Sequence, residues 1–525
     1  MTDLLPATAA ATTAASPGAR RRPASFDGFV RAKDARLVDG SGRRLLLRGV
    51  GLGNWMLPEG YMWRFGPGAE SPREIERLTA RLLGEAGAEL FWERFRTDFI
   101  TEGDFEVIAA SGFDHVRLPI NSRLIQDDDG KPIEAGYAMI DRLIGWCRAH
   151  SLWVLLDLHG APGGQTGTNI DDSPRNLPEL FLEPRYRQLT VRLWRDLAIR
   201  YRDETVVLGY DLLNEPLPNE WQHSHAEALA DLYRELTREI RLVDPNHLIV
   251  YEGAHWATNW DIFTEVWDEN SLLQFHKYWS SPDTASISEF LATRDRLGLP
   301  IYMGEGGENT AEWIYTAFRL YESHDIGWNF WPWKKIDTRT SPASIRPPEG
   351  WDRVVASVAD PTAITSEEAQ RAFDDLLDAM RIENCEWRSD VVAALLGELP
   401  HVIPAWGYGF RGADESYSVA QIGGVAGIRE DDAVPLRWAS GGSHPANPFE
   451  QNDGRPYRAE EELVVDLSEG DWLEFELTGA ATARVVDELG GEADVRVERS
   501  ARGIRVIAAG RTTVSRIYPV AGEPT

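Results

Sequence analysis

The chain has 525 residues, 43% of them hydrophobic and 26% charged, a composition that fits a folded protein and excludes collagen-like or wholly disordered structure. Its formal net charge of -30 should repel phosphate backbones, so nucleic acid is not an expected partner. No run approaches the roughly 18 apolar residues of a membrane span, and the two cysteines, Cys147 and Cys385, read as reduced core thiols rather than a disulfide framework.

Residues 1–25 are rich in Ala, Thr and Pro and read as a disordered leader. Arg20, Arg21 and Arg22 would need an apolar stretch after them to act as a twin-arginine export signal. Pro23, Ala24, Ser25 and Phe26 lead instead into Asp27 and Gly28, so a cytoplasmic location is expected. Short apolar runs then recur at 45–50, 115–119, 153–159, 207–215, 247–251, 272–276, 300–305 and 327–331. Runs apolar on both faces fit strands of a parallel sheet. Helical spacing occupies 134–150, 185–203, 225–243, 286–298, 310–324 and 366–382. Strand alternating with helix predicts an α/β fold, a (β/α)8 TIM barrel over 26–397. A doubly wound open sheet usually has fewer strands, and no Gly-rich phosphate loop follows the first run here.

The stretch 397–404 reads as a linker, and beyond it the period shortens to two. Leu473, Phe475 and Leu477 alternate with Glu474 and Glu476, and Val495 and Val497 flank Arg496. This pattern predicts a small antiparallel β-sandwich domain over 398–525.

Barrels of this kind place their chemistry at the C-terminal ends of the strands. Arg117 lies on the second predicted strand, His159 ends the third, Asn214 and Glu215 the fourth, and His276 with Tyr278 the sixth. Glu305 ends the seventh, and Trp331 with Trp333 the eighth. Glu215 and Glu305 can meet only across a common mouth. Retaining glycoside hydrolysis needs two carboxyl groups about 5–5.5 Å apart, one attacking the anomeric carbon and one protonating the leaving oxygen. The acid must keep its proton near neutrality, which burial and a neighbouring carboxylate achieve. Neither metal nor cofactor is expected. Asp157, His159, His276 and the glutamates include ligand types, but no His-x-His pair stands at the first strand.

Six stretches occur in one order across roughly residues 40–335: Val116-Arg117-Leu118-Pro119, Asp157-Leu158-His159-Gly160, Leu213-Asn214-Glu215-Pro216, His276-Lys277-Tyr278, Gly304-Glu305-Gly306-Gly307 and Phe330-Trp331-Pro332-Trp333. In these the chain resembles glycoside hydrolase family five, the broad cellulase group. The resemblance implies Glu215 as acid/base and Glu305 as nucleophile positioned by Arg117 and Tyr278. It also implies Asn214 bonding the sugar 2-hydroxyl or the nucleophile, His159 and His276 touching sugar or carboxylates, and Trp331 flooring the site, with Trp333 beside it as a binding residue. Gly306 stands where the family usually has an aromatic, which leaves Glu308 as a rival nucleophile. Glu305 is favoured because it directly follows the apolar strand.

The loop 157–167 is similar to that of exo-acting β-glucanase and β-glucosidase branches, and insertions at 54–75 and 336–364 can close a pocket. The expected activity is therefore exo-hydrolysis of a β-linked glucoside or related hexoside through a covalent glycosyl-enzyme. Endo-β-glucanase or mannanase action, glycolipid β-glucosidase action, transglycosylation and a non-catalytic sugar-binding barrel remain alternatives, the last opposed by the intact carboxylate pair. Trp55, Trp63, Trp221, Trp256, Trp260 and Trp279 also fall at or just after predicted strand ends, divided between sugar platform and packing. The segment 469–475 resembles a strand of some carbohydrate-binding modules, but a structural domain packed on the barrel is the favoured reading. The sequence does not specify an oligomeric state.

Overall fold

Eight parallel strands close into a barrel in the computed structural model, which describes residues 26–421, 423, 426–441, 448–458 and 461–522. The leader predicted over 1–25 lies outside the described residues. In chain order the strands are β1 (Arg48–Gly51), β2 (His115–Asn121), β3 (Trp153–Gly160), β4 (Val207–Asp211), β5 (Leu248–Glu252), β6 (Ser271–His276), β7 (Ile301–Glu305) and β8 (Gly327–Phe330). Pairing of β8 with β1 completes the ring. The strands from β2 to β8 are buried throughout, because one face meets the barrel interior and the other the surrounding helices. The expected (β/α)8 fold is the fold observed, and all six helices read from the spacing are present, from Glu134–Ala149 to Ser366–Ala379.

The run at 45–50 is divided between two sheets. Arg44–Leu45 joins Arg31–Lys33 and Arg36–Val38 in a small antiparallel sheet, and only Arg48 onward enters the barrel. This sheet plugs the N-terminal end, where Val30 and Leu37 pack with Leu155, Leu208, Leu248 and Leu272. The run at 207–215 also shortens: β4 ends at Asp211, and Glu215 lies in the following loop with φ 43°.

Two further helices, Pro72–Asp98 and Glu102–Ser111, fill the connection from β1 to β2. The first starts on a capping box, with Ser71 and Glu74 satisfying each other's backbone N–H, and bends at Gly84 where φ is 71°. Its Phe91 and Phe95 rings pack on Trp63, and Phe91 meets Phe373 of the helix Ser366–Ala379 at 4.9 Å.

Among its described residues the C-terminal region forms three antiparallel sheets. The expectation of a linker at 397–404 is corrected. Gly397 caps the helix Ser389–Leu396 in the left-handed region at φ 65°, and Ile403–Pro404 is already a strand, paired with Arg516–Ala521. Helix Ala311–Ser323 ties barrel to sheets: Tyr315 Oη donates to the Glu476 carbonyl at 3.0 Å, and Glu312 faces Arg516 at 3.9 Å. Cys147 is buried, Cys385 is half-buried, and both are free thiols. Among the described residues no helix is long and apolar enough to cross a membrane.

Candidate active site

Arg117 organises the floor of the barrel mouth. Its fully buried guanidinium donates to Asp211 Oδ2 at 2.8 Å, Asn214 Oδ1 at 2.9 Å, Glu252 Oε1 at 2.9 Å and Glu305 Oε1. Asp157 stands 3.2 Å away. A planar fork of five N–H donors is the side chain able to hold several carboxylates at fixed angles in a dry interior. Burial raises Asp211 to about 6 against the opposing pull of Arg117, and burial also holds Asp157 well above its ordinary value.

Glu305, the last residue of β7, receives a donor on each oxygen, Arg117 on Oε1 and the Tyr278 hydroxyl on Oε2 at 3.1 Å. Burial, reinforced by the Glu305 charge, pushes the Tyr278 phenol up, so that it remains a donor. Glu215 is fixed by its backbone N–H, which donates to Glu252 Oε2 at 2.7 Å, and by His276 Nδ1, which lies 2.8 Å from its Oε1. One oxygen each of Glu215 and Glu305 and one nitrogen of His276 lie within 4.8 Å of one another.

Their surroundings shift two histidines in opposite directions. Burial depresses His276, but the charges of Glu252 and Glu305 and hydrogen bonds to Glu215 and Glu252 outweigh it and hold the ring well above its ordinary value. Its Nδ1 lies 2.8 Å from Glu215 Oε1 and its Nε2 3.3 Å from Glu252 Oε1, and Glu215, His276 and Glu305 form the one convergent ligand-type group among the described residues. Burial lowers His159 to about 4, and the neutral ring gives its Nδ1 proton to Asp157 at 2.7 Å while Asn214 Nδ2 approaches Nε2 at 3.3 Å. Burial raises both catalytic candidates. The hydrogen bond and charge of His276 bring Glu215 below the ordinary carboxyl value, while Glu305 stays above it, so the proton between them belongs to the pair.

Trp331 lies parallel to His159, ring centroids 5.3 Å apart, and its Nε1 donates to Tyr61 Oη at 2.9 Å. Gly51 makes room for it, since a Cβ there would stand 2.4 Å from Trp331 Cε3. A cavity of 640 Å³ opens above, lined by Glu59, Tyr61, His159, Glu215, His276, Tyr278, Glu305 and Trp331 among others, a size common for small-molecule pockets.

The structure thus brings Arg117, His159, Asn214, Glu215, His276, Tyr278, Glu305 and Trp331 together. Trp333 is the correction. It is 1% exposed, donates from Nε1 to Asp104 Oδ1 at 2.9 Å, and packs edge-on against Phe113 and Trp387, so it belongs to the core outside the pocket. Glu308 lines the pocket but is paired with Lys335, whereas Arg117 and Tyr278 attend Glu305.

Glu252, Gln274, Glu59, Tyr61 and Lys335 are additions that the sequence reading lacks. Glu252 accepts from Arg117, from Gln274 and from the Glu215 N–H, and it ends β5, so the strand-end rule pointed to it. Glu59 is held well above its ordinary value by burial and by the charges of Glu305, Glu308 and Glu215, and its Oε1 lacks a hydrogen-bond partner among the described residues.

A parallel barrel hosts many chemistries, and comparison with known proteins names the class here. The family model described as Cellulase (glycosyl hydrolase family 5) matches residues 79–337. A β-xylosidase of Phanerodontia chrysosporium is 27% identical over 347 residues, covering 59% of this chain and 71% of that protein. A probable glucan 1,3-β-glucosidase A of Emericella nidulans is 33% identical over 238 residues, 44% of this chain and 57% of its own. Endoglucanase C of Acetivibrio thermocellus is 28% identical over 312 residues, 47% of this chain and 87% of its own. The barrel region 79–337 is thus similar to glycosyl hydrolase family 5, and the protein is a glycoside hydrolase.

Proposed function

We propose that the protein is a retaining, exo-acting β-glycosidase that removes a single glucose-like sugar through a covalent glycosyl-enzyme. The observation that carries this reading is the approach of the two carboxyls to within 4.8 Å. That separation suits direct attack by one carboxylate, whereas an inverting pair leaves about 6.5–9.5 Å for an intervening water. Glu305 is the nucleophile because both of its oxygens are held by donors, which fixes the attacking lone pair. Glu215 protonates the leaving oxygen and then takes the proton of the attacking water. The reaction needs the pair's proton on Glu215. His276 Nδ1 stands beside both carboxyls, 2.8 Å from Glu215 and 3.7 Å from Glu305, so its charge acts on the pair that shares this proton.

Exo action is favoured by the residues around the pocket. Glu59, Tyr61, Lys335 and Glu308 crowd one end with polar groups, as a terminal sugar with all its hydroxyls free requires. On the side of Glu215, where the leaving group departs, Ile170 and Trp256 present apolar surface. This second observation favours an apolar aglycone, as in a glycolipid, over a second sugar ring.

The test is turnover of nitrophenyl β-glucoside, β-xyloside, β-mannoside, β-galactoside and β-cellobioside, and of octyl β-glucoside, by wild type, Glu215→Ala and Glu305→Ala. One monoglycoside is expected to dominate, with turnover reduced on the order of 10⁴-fold or more in Glu305→Ala. For Glu215→Ala the loss is about 10²- to 10⁴-fold, larger for the octyl than for the nitrophenyl leaving group. Activity on the cellobioside alone would contradict exo action, and full activity in Glu305→Ala would remove the assigned nucleophile.

A further inference from the structure

The C-terminal region reaches into the catalytic pocket. Among the described residues lining the cavity, Asn452 is the one from beyond the barrel. Its segment is anchored behind β7, where Asn309 Nδ2 donates to the Phe449 carbonyl at 2.6 Å and Thr310 Oγ1 bonds Tyr457 Oη at 3.3 Å. The turn also packs against the loop after β8: Gly454, at φ 68°, has no room for a side chain, since a Cβ there would stand 2.8 Å from Thr340 Cγ2. The turn between these anchors is held from within, since Gln451 is buried and bonds the Pro448 carbonyl at 3.1 Å, and the Gly454 N–H donates to the Gln451 carbonyl at 2.8 Å. Asn452 stands at its tip, exposed, with an amide that hydrogen-bonds to no described residue.

Direction follows from the barrel. Glu215 follows β4, which lies across the ring of eight from β8. The leaving group must depart on the side of its proton donor, so the retained sugar points toward β7, β8 and β1, where Glu308, Lys335, Glu59 and Asn452 stand. We propose that the turn at 449–454 is the end wall of the sugar pocket and that the Asn452 amide bonds the terminal hydroxyls of the glycone. The C-terminal region is then part of the substrate site and limits the pocket to one sugar, a conclusion that rests on the glycosidase reading above.

The test uses the full chain and four proteins: wild type, Asn452→Ala, Asn452→Trp and Glu305→Ala. KM, kcat and Tm are read on the nitrophenyl β-monoglycoside that wild type prefers and on nitrophenyl β-cellobioside. Asn452→Ala is expected to raise KM for the monoglycoside about tenfold, the value of one neutral hydrogen bond, with kcat little changed. The ratio of cellobioside to monoglycoside turnover should rise, and Tm should hold. Asn452→Trp is expected to block the pocket and lower kcat/KM on the monoglycoside further than Asn452→Ala. Both variants matching wild type on the monoglycoside, while Glu305→Ala is dead, overturns this inference and leaves the glycosidase reading intact. Equal losses on both substrates with a lowered Tm also overturn it, as the mark of a structural role. A wild type silent on every monoglycoside removes the glycosidase reading and this inference together.

Discussion

The two ends of the barrel use the same eight strands for opposite purposes. At the N-terminal end Val30, Leu37, Leu47, Leu155, Leu208 and Leu272 form a dry cluster under a three-stranded plug. At the other end Arg117, Asp157, Asp211, Glu252 and Glu305 are equally buried but charged or ionisable. Backbone strain is divided in the same way. Glu215, Leu217, Asn219, His255, Trp256, Ala257, Trp279 and Glu308 all adopt positive φ in the loops that carry the pocket. At the plugged end positive φ falls at turns such as Asp34–Ala35, where a hairpin needs it. Strained residues and buried charges both cost stability, and here they are concentrated where carboxylates must be aimed. The plug and the leucine layer supply apolar burial that offsets the cost.

Substitutions at the two ends should therefore fail differently. Arg117→Lys keeps the charge but loses the fork, so Glu305 is misaimed, and kcat should fall about a hundredfold. A value within a few-fold of wild type would show that Glu305 is positioned by other groups. Tyr278→Phe removes one hydrogen bond to a carboxylate and is expected to lower kcat about tenfold or somewhat more, with Tm nearly unchanged.

His276→Gln sharpens the electrostatic half of the comparison. The cation beside Glu215 and Glu305 lowers both, so removing it raises both, and the acid limb of the kcat/KM profile should move to higher pH. An unmoved limb would show that His276 is neutral in the working enzyme. Leu155→Ala, at the plugged end, has the smallest expected effect on chemistry. It should cost about 2–5 kcal/mol of stability in urea unfolding, with kcat per folded molecule unchanged. A parallel loss of kcat would mean the ends are mechanically linked.

The division explains what could be read in advance. Strand-end chemistry is legible because the apolar run announces the strand and the next polar residue marks its end, as with His159, His276 and Glu305. Glu252 obeys the same rule. Glu59 and Asn452 carry no such signal, since each reaches the pocket from a loop whose path depends on tertiary contacts. Trp333 misleads for a related reason: two residues past Trp331, its indole turns away from the mouth to Asp104 and Phe113. The helix Pro72–Asp98 is hidden by Gly84, which interrupts its period, although Ser71, Pro72 and Glu74 spell its start. The stretch 397–404 looked like a linker because a helix cap and a two-residue strand are too short to show a period.

The central claim is that Glu305 and Glu215 act as a retaining pair, and the configuration of the first product tests it most directly. Wild-type enzyme in deuterated buffer would be given the nitrophenyl β-glycoside it turns over best, and the anomeric protons of the released sugar followed by ¹H NMR from the first minutes. The account predicts the β-anomer first, with the α-anomer growing later by mutarotation. An α-anomer appearing first would contradict it, because water rather than Glu305 would then be the attacking group.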